Sequence, residues 1–272
     1  LDNPGIFISY NGHAFDEELV RRQFFWNLLE PYTTNTNGNG RLDLMLMMHN
    51  IVCFFPEAIN IPLFEDGPKI SLKLEDIARA NNISADSAHD AIADCNLMID
   101  VTKKINAVVP DVLNSFLNIS TKPGVMSLLN SDGFLALGEV FRRQMFRYPV
   151  VFCGSDPTRP NEIVFFDLSF DDPEEILELE LSEIFKLINA GGRDGPLKKY
   201  KINKTIPICH SDLLNDKTLF DVNFDELNRR AQLVKNHKDF QTKVSQAMSD
   251  RMMSFPEPEY ICLLYTSPSP RD

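Results

Sequence analysis

His89 and Asp94 stand five positions apart at the entrance to a predicted helix. A histidine can take the proton from an attacking water, and a carboxylate can hold a hard divalent cation beside it. Together they suit metal-assisted hydrolysis of a phosphodiester. Asp90 competes with Asp94 for the carboxylate role. A second constellation lies upstream: Tyr10-Asn11-Gly12-His13-Ala14-Phe15-Asp16, an Asn-x-x-x-Phe-Asp pattern ending in another acid. Hard cations take oxygen ligands, so aspartates are the right donor type. Alone, Asp16 would only offset a helix macrodipole, and Asn11 would only hold a turn. The joint pattern points to chemistry. His13, His49, His210 and His237 have no such context and read as structural.

The elements that must position these residues follow from periodicity. A strand end at 6–9 leads into the first motif. An amphipathic helix over 16–29 follows, with Leu19, Val20, Phe24 and Leu28 on one face and Asp16 in its first turn. The Thr/Asn/Gly-rich stretch 33–40 is a loop, 42–52 a second helix, and Ser71 precedes a third that ends near Asn81-Asn82. Asp86 or Ser87 can cap a fourth helix reaching 105. Positions five apart on a regular helix diverge by roughly 140°, so His89 shares a site with Asp94 only from an irregular helix entry. Connecting helices fill 110–129. From 133 to 207 short β-rich runs alternate with turns, interrupted by an acidic helix at 173–189, and 223–253 is helical again.

Composition narrows the class. At 272 residues with 43% apolar content the chain can fill two domains, and no apolar run is long enough to span a membrane. Five scattered cysteines without a Cys-x-x-Cys pair argue for reduced thiols in a cytoplasm and against a zinc site. A net charge of −12 runs against phosphate attraction, but its distribution is uneven. Nine acids and no Lys or Arg lie between Pro160 and Phe185, while Arg142, Arg143 and Arg147, then Lys198, Lys199, Lys201 and Lys204, gather elsewhere. A basic groove on an acidic protein is compatible with that pattern.

The two motifs resemble the second and third motifs of the DEDDh 3′→5′ exonucleases. The segments YNGHAFDEELVRRQFF, EPY, RLDLM, SLKLEDIARANNI and SAHDAIAD, in that order, resemble the bacterial exonuclease I family of single-strand-specific deoxyribonucleases. The likeness is strong to about residue 105. It continues more loosely through VVFCGSDPTRPNEIVFFDL and KINKTIPI to about Pro256. Family members carry a further motif, Asp-x-Glu on a strand, ahead of these. That motif would fall before Leu1, so the chain is expected to be a fragment. The stretch 261–272, with two Ser-Pro pairs and no period, reads as a non-native tail.

The resemblance implies an α/β architecture. Residues 1–130 would form a partial RNase H-like exonuclease domain with connecting helices, 131–212 an SH3-like β-rich domain, and 213–260 the start of a helical domain. It implies two Mg²⁺ or Mn²⁺ ions, with Asp16 and Asp94 as metal ligands and His89 as general base; the family spacing selects Asp94 over Asp90. Asn11 and Phe15 would support the site from behind. Arg21, Tyr32 and Lys73 fall at positions that contact single-stranded DNA in the family. Lys73 replaces an arginine there, turning a forked phosphate grip into a point contact. The implied protein is a cytoplasmic monomer that degrades single-stranded DNA to 5′-mononucleotides in repair or recombination, with a single-stranded-DNA-binding protein as partner. Two alternatives stand beside it: another DEDDh nuclease acting on RNA or proofreading DNA, and a non-catalytic single-strand-binding protein.

Overall fold

The computed structural model describes residues 3–64, 69–84, 91–170, 173–190 and 195–253. Two sheets organise them. The smaller pairs β1 (Ile6–Ser9) with β2 (Gly40–Asp43) in parallel, Ile6 opposite Gly40 and Ser9 opposite Asp43. Helix α1 (Asp16–Trp26) crosses between them. From β2 the chain enters α2 (Leu44–Phe54), then α3 (Leu74–Ala80), α4 (Ala91–Val108), α5 (Pro110–Asn118) and α6 (Lys122–Leu129).

The larger sheet is antiparallel, built from β3 (Leu135–Phe141), β4 (Gln144–Ser155), β5 (Glu162–Asp167), β6 (Leu197–Lys201) and β7 (Ile208–His210), in the spatial order β6-β5-β4-β3-β7. Helices α7 (Pro173–Leu177) and α8 (Leu181–Ala190) interrupt it between β5 and β6. Helices α9 (Phe224–Asn236) and α10 (Lys238–Met253) follow β7.

Both faces of this sheet are covered, which explains its unbroken apolar runs. Side chains alternate between two cores: Ile163 and Phe165 of β5 join the core around α2, while Val164 and Phe166 join the core under α8, α9 and α10. Val150 and Val151 of β4 divide in the same way.

Helix α2 is the axle between the sheets. Apolar on nearly all sides, it is buried along most of its length, as such a helix must be. It approaches β3 so closely that a Cβ at Gly138 would lie 2.8 Å from the His49 carbonyl oxygen and 3.0 Å from the Asn50 Cα. Asn50, fully buried, donates to the carbonyls of Ala136 (2.9 Å) and Pro207 (3.0 Å), fixing α2 against β3 and the strand entry beyond it.

Several boundaries differ from expectation. Residues 40–43 form a strand rather than the start of a helix, because Leu42 pairs with Ile8 and Asp43 caps α2 by accepting from the Met45 N–H. The acidic helix is two helices, and so is 223–253, broken at His237. Helix α1 ends at Trp26, and Leu28 beyond it takes a left-handed φ of 57°. The expected apolar face of α1 buries no residue, since the sheet beneath it is only two strands wide. No helix among the described residues is long and apolar enough to cross a membrane. Cys53, Cys153 and Cys209 are buried free thiols, and burial pushes each above the ordinary thiol range.

Two stability predictions follow from α2. Gly138→Ala should cost about 1–3 kcal/mol through overpacking against helix backbone, read from the denaturant midpoint; an unchanged midpoint would mean the seam can yield. His49 accepts from the Val140 N–H at 3.3 Å, and burial lowers its pKa from 6.5 to about 4. Above pH 6.5 the site is neutral in folded and unfolded chains alike. Between 6.5 and 4 the unfolded chain binds a proton that the folded chain refuses. Stability is therefore lost as pH falls through that window, by on the order of 3 kcal/mol in full. His49→Gln, which keeps an acceptor but does not titrate, should flatten that part of the dependence; equal pH slopes for both proteins would refute it.

Candidate functional site

The first motif forms the turn that carries β1 into α1. Asn11 takes a left-handed φ of 60°, which asparagine tolerates better than most residues, and opens a single 3₁₀ turn over Gly12–Ala14. Gly12 is required by its surroundings: a Cβ there would meet the Ser9 side chain at 2.4 Å. The turn is pinned from beneath by Asp43, whose carboxylate accepts from the backbone N–H of Asn11 (2.7 Å) and His13 (3.3 Å). Tyr10 donates its hydroxyl to the Leu72 carbonyl, so the segment leading to Lys73 runs beside the motif. Burial, reinforced by the Asp43 charge, drives the Tyr10 phenol above its usual range and keeps it a donor.

This turn delivers Asp16 to the first turn of α1, where the helix dipole favours a carboxylate. Asp16 is solvent-exposed and shares a pocket of about 180 Å³ with Arg21, residues of β1 and the 31–35 loop. That is smaller than ordinary ligand pockets, leaving room for a group on a chain rather than a whole nucleotide. Arg21 lies over the Tyr32 ring, 5.6 Å from its centroid, and pairs with Glu18. Burial acts to raise the Glu18 pKa, but the bonds from Arg21 and Arg22 outweigh it and hold the carboxyl below its usual range. Acid and guanidinium thus share one small pocket, and the guanidinium lies against the Tyr32 ring.

The other sequence candidates fare differently. Lys73 is exposed at the N-cap of α3, its own N–H bonded to the Ser71 hydroxyl. Asp94 is half-buried in the first turn of α4 and does not line the Asp16 pocket. Phe15 is 64% exposed, and the Asn11 backbone, rather than its side chain, bonds to Asp43. His89, Asp90 and the cap candidates Asp86 and Ser87 lie outside the described residues, as does the stretch 261–272. Asp16 and Asp94 have the oxygen donors a hard cation needs. Among the described residues, however, no three His, Cys, Asp or Glu side chains are grouped to hold one.

A larger cavity, about 690 Å³, opens where α2, the β3–β5–β6 face and the 201–207 connection meet. Lys199, Lys201, Lys204, Arg159 and Arg251 line it, with Tyr200 among them and Glu139 and Glu162 opposing. Burial, then the charge of Arg251, lowers the Lys199 pKa, and its ammonium donates to the Ile188 carbonyl at 2.6 Å. The basic cluster of the sequence is therefore real in part: Lys199, Lys201 and Lys204 converge, whereas Lys198 turns inward to Asp167 and the Tyr148 ring.

Sequence reasoning missed Asp43 and Thr205. Both sit in stretches that carry the family likeness, RLDLM and KINKTIPI, and both are polar residues beside apolar runs, which is the available signal. Asp43 is 1% exposed, and its own N–H donates to Thr205 Oγ1 at 2.8 Å.

No family model matches the chain. Among curated proteins it is 31% identical over 194 residues to exodeoxyribonuclease I of Buchnera aphidicola subsp. Baizongia pistaciae, covering 65% of this chain and 40% of that one. To exodeoxyribonuclease I of Haemophilus influenzae it is 29% identical over 211 residues, covering 72% and 44%. Among solved structures, exonuclease I from Methylocaldum szegediense superposes with a TM-score of 0.73 at 28% identity, over 90% of this chain and 55% of the other. Escherichia coli exonuclease I in complex with a dA16 oligonucleotide shares the fold with a TM-score of 0.71 at 23% identity, over 94% and 56%. The chain spans about half the length, or less, of the relatives it matches. In sequence and in fold, this chain is similar to bacterial exonuclease I over about half of that enzyme's length.

Proposed function

We propose that this chain is part of a 3′→5′ exodeoxyribonuclease that shortens single-stranded DNA to 5′-mononucleotides. The observation that carries the reading is the pocket that Asp16 and Arg21 share at the end of the motif turn, with the Arg21 guanidinium over the Tyr32 ring beside it. In a chain similar to nucleases, these groups supply a carboxylate that can hold a cation at the reacting phosphate, a guanidinium for a neighbouring phosphate and a ring on which a base can stack.

In this reading residues 1–130 are the catalytic unit of RNase H-like type, 131–212 an SH3-like unit built on the five-stranded sheet, and 213–260 the opening of a helical unit. His89 takes the proton from the water that attacks the terminal phosphorus, and the bond from phosphorus to the 3′-oxygen of the preceding nucleotide breaks. The cofactor called for is a pair of Mg²⁺ or Mn²⁺ ions; Asp16 and Asp94 would be this chain's ligands for them, and the ions would supply charge neutralisation at the phosphate. A further acidic pair of Asp-x-Glu type must complete the set. Lys73 holds the strand by a single point of charge beside the motif turn, and Asn11 and Phe15 shape that turn. The basic cavity under Lys201 and Lys204 takes the phosphates of the strand beyond the catalytic unit.

The relatives also suggest the setting. Solved complexes of exonuclease I include one with the C-terminus of SSB. The proposed protein works as a cytoplasmic monomer, with a single-stranded-DNA-binding protein as partner.

Three assays bear on this. On 3′-labelled single-stranded DNA with Mg²⁺, a protein extended upstream to include an Asp-x-Glu strand should release nucleotides and the 272-residue chain should not. Equal release from both would mean the extra acids are dispensable. In the extended protein, His89→Ala should cut turnover by about 10²–10⁴-fold with DNA affinity retained; near-normal turnover at neutral pH would remove His89 from the base role. Replacing both Lys201 and Lys204 by Ala should weaken strand binding and flatten its dependence on log salt by about 1.4, at roughly 0.7 for each phosphate no longer neutralised. An unchanged slope would place the strand elsewhere.

A further inference from the structure

His13 stands three residues before Asp16 and is almost wholly enclosed, its side chain 4% exposed. Its two ring nitrogens face different partners. Nε2 accepts the backbone N–H of Thr205 at 3.1 Å and lies 3.1 Å from the Thr205 hydroxyl. A nitrogen that accepts an N–H cannot carry a proton of its own, so the ring proton sits on Nδ1, 2.8 Å from a Glu17 carboxylate oxygen. Glu17 in turn pairs with Arg41 at 2.5 Å, and Arg41 reaches the Asn203 carbonyl. On the other side the Thr205 hydroxyl accepts the Asp43 N–H, and Asp43 holds the N–H groups of Asn11 and His13.

The motif turn is therefore closed into a loop of hydrogen bonds with the connection between β6 and β7, 192 positions away in the sequence. Because α1 buries no residue, side-chain packing does little to fix its first turn. These hydrogen bonds are what set where Asp16 stands.

We propose that His13 is a positioning residue for Asp16: neutral and fixed in its Nδ1-protonated tautomer, it latches the motif turn to Thr205 and so ties the carboxylate to the larger sheet. A ring protonated on both nitrogens would set an N–H against the Thr205 N–H and open the latch. The catalytic consequence rests on the nuclease reading above; the latch itself does not.

The test compares Thr205→Val, which keeps shape but loses the hydroxyl, with Thr205→Ser, which restores it. Nitrogen-15 NMR of the 272-residue chain should show the His13 Nδ1–H tautomer. In Thr205→Val, amide exchange at Asn11 and His13 should quicken at least tenfold, while the buried α10 amides of Phe240 and Val244 keep their protection. In the extended protein the same change should lower kcat at least tenfold with KM for single-stranded DNA within twofold, and Thr205→Ser should recover most of it. An Nε2–H tautomer, unaltered exchange at the turn, or a quickened turn with undiminished kcat would each overturn the proposal. So would exchange that quickens equally in α10, which would mark Thr205 as a general stability residue. An extended wild-type protein with no nuclease activity would fell the functional reading first and remove the catalytic role of His13 with it, while the tautomer and exchange results would still decide the latch.

Discussion

A single buried carboxylate holds the small sheet, the motif turn and the start of α2 in one arrangement. Asp43 ends β2, caps α2 and accepts two N–H groups of the turn that leads to Asp16. A carboxylate taken out of water is costly unless its lone pairs are met. Three backbone N–H groups meet them here, and each comes from a segment whose position then becomes obligatory. The Thr205 hydroxyl, accepting the Asp43 N–H, extends the same constraint to the larger sheet. Breaking this hub would strip three backbone donors of their partner at once, the buried His13 N–H among them.

The contrast between α2 and α1 shows two ways of holding a helix. Helix α2 is fixed by burial, with the close approach at Gly138 and the Asn50 amide setting its height and rotation. Helix α1 carries Asp16 and Arg21 yet leaves Leu19, Val20, Phe25 and Trp26 exposed. Ion pairs along its surface, Glu18 with Arg21 and Arg22, contribute little against solvent screening. Its placement depends on the polar bonds at its first turn, so the element bearing the candidate site is held by its end rather than by its face.

Charge is arranged so that an acidic chain can still offer a cationic surface. Many of the acids between 160 and 185 lie on or near α7 and α8, while Lys199, Lys201, Lys204 and Arg251 line the cavity beside α2. Glu162 sits among them, pairing with Arg159 and Lys201. Such pairing orients the cations and tempers a field that would otherwise be strongly positive.

The sequence by itself determined the local elements and the chemistry of the candidates. Periodicity located α1, α3 to α6 and the β-rich centre, the two motifs singled out Asp16, His89 and Asp94, and the family resemblance pointed to Arg21, Tyr32 and Lys73. Local patterns fail at boundaries that distant partners decide. Leu42 reads as helix until Ile8 supplies a strand to pair with, and the helix break at His237 depends on its ring accepting the Phe240 N–H. Only the tertiary structure brought Arg21 over Tyr32, separated Lys198 from the lysines beside it, and joined His13 to Thr205. The physical reason is the same in each case. Periodicity reports which face of an element is apolar, whereas a buried hydrogen bond is specified by two groups at once, and the second can stand anywhere in the chain.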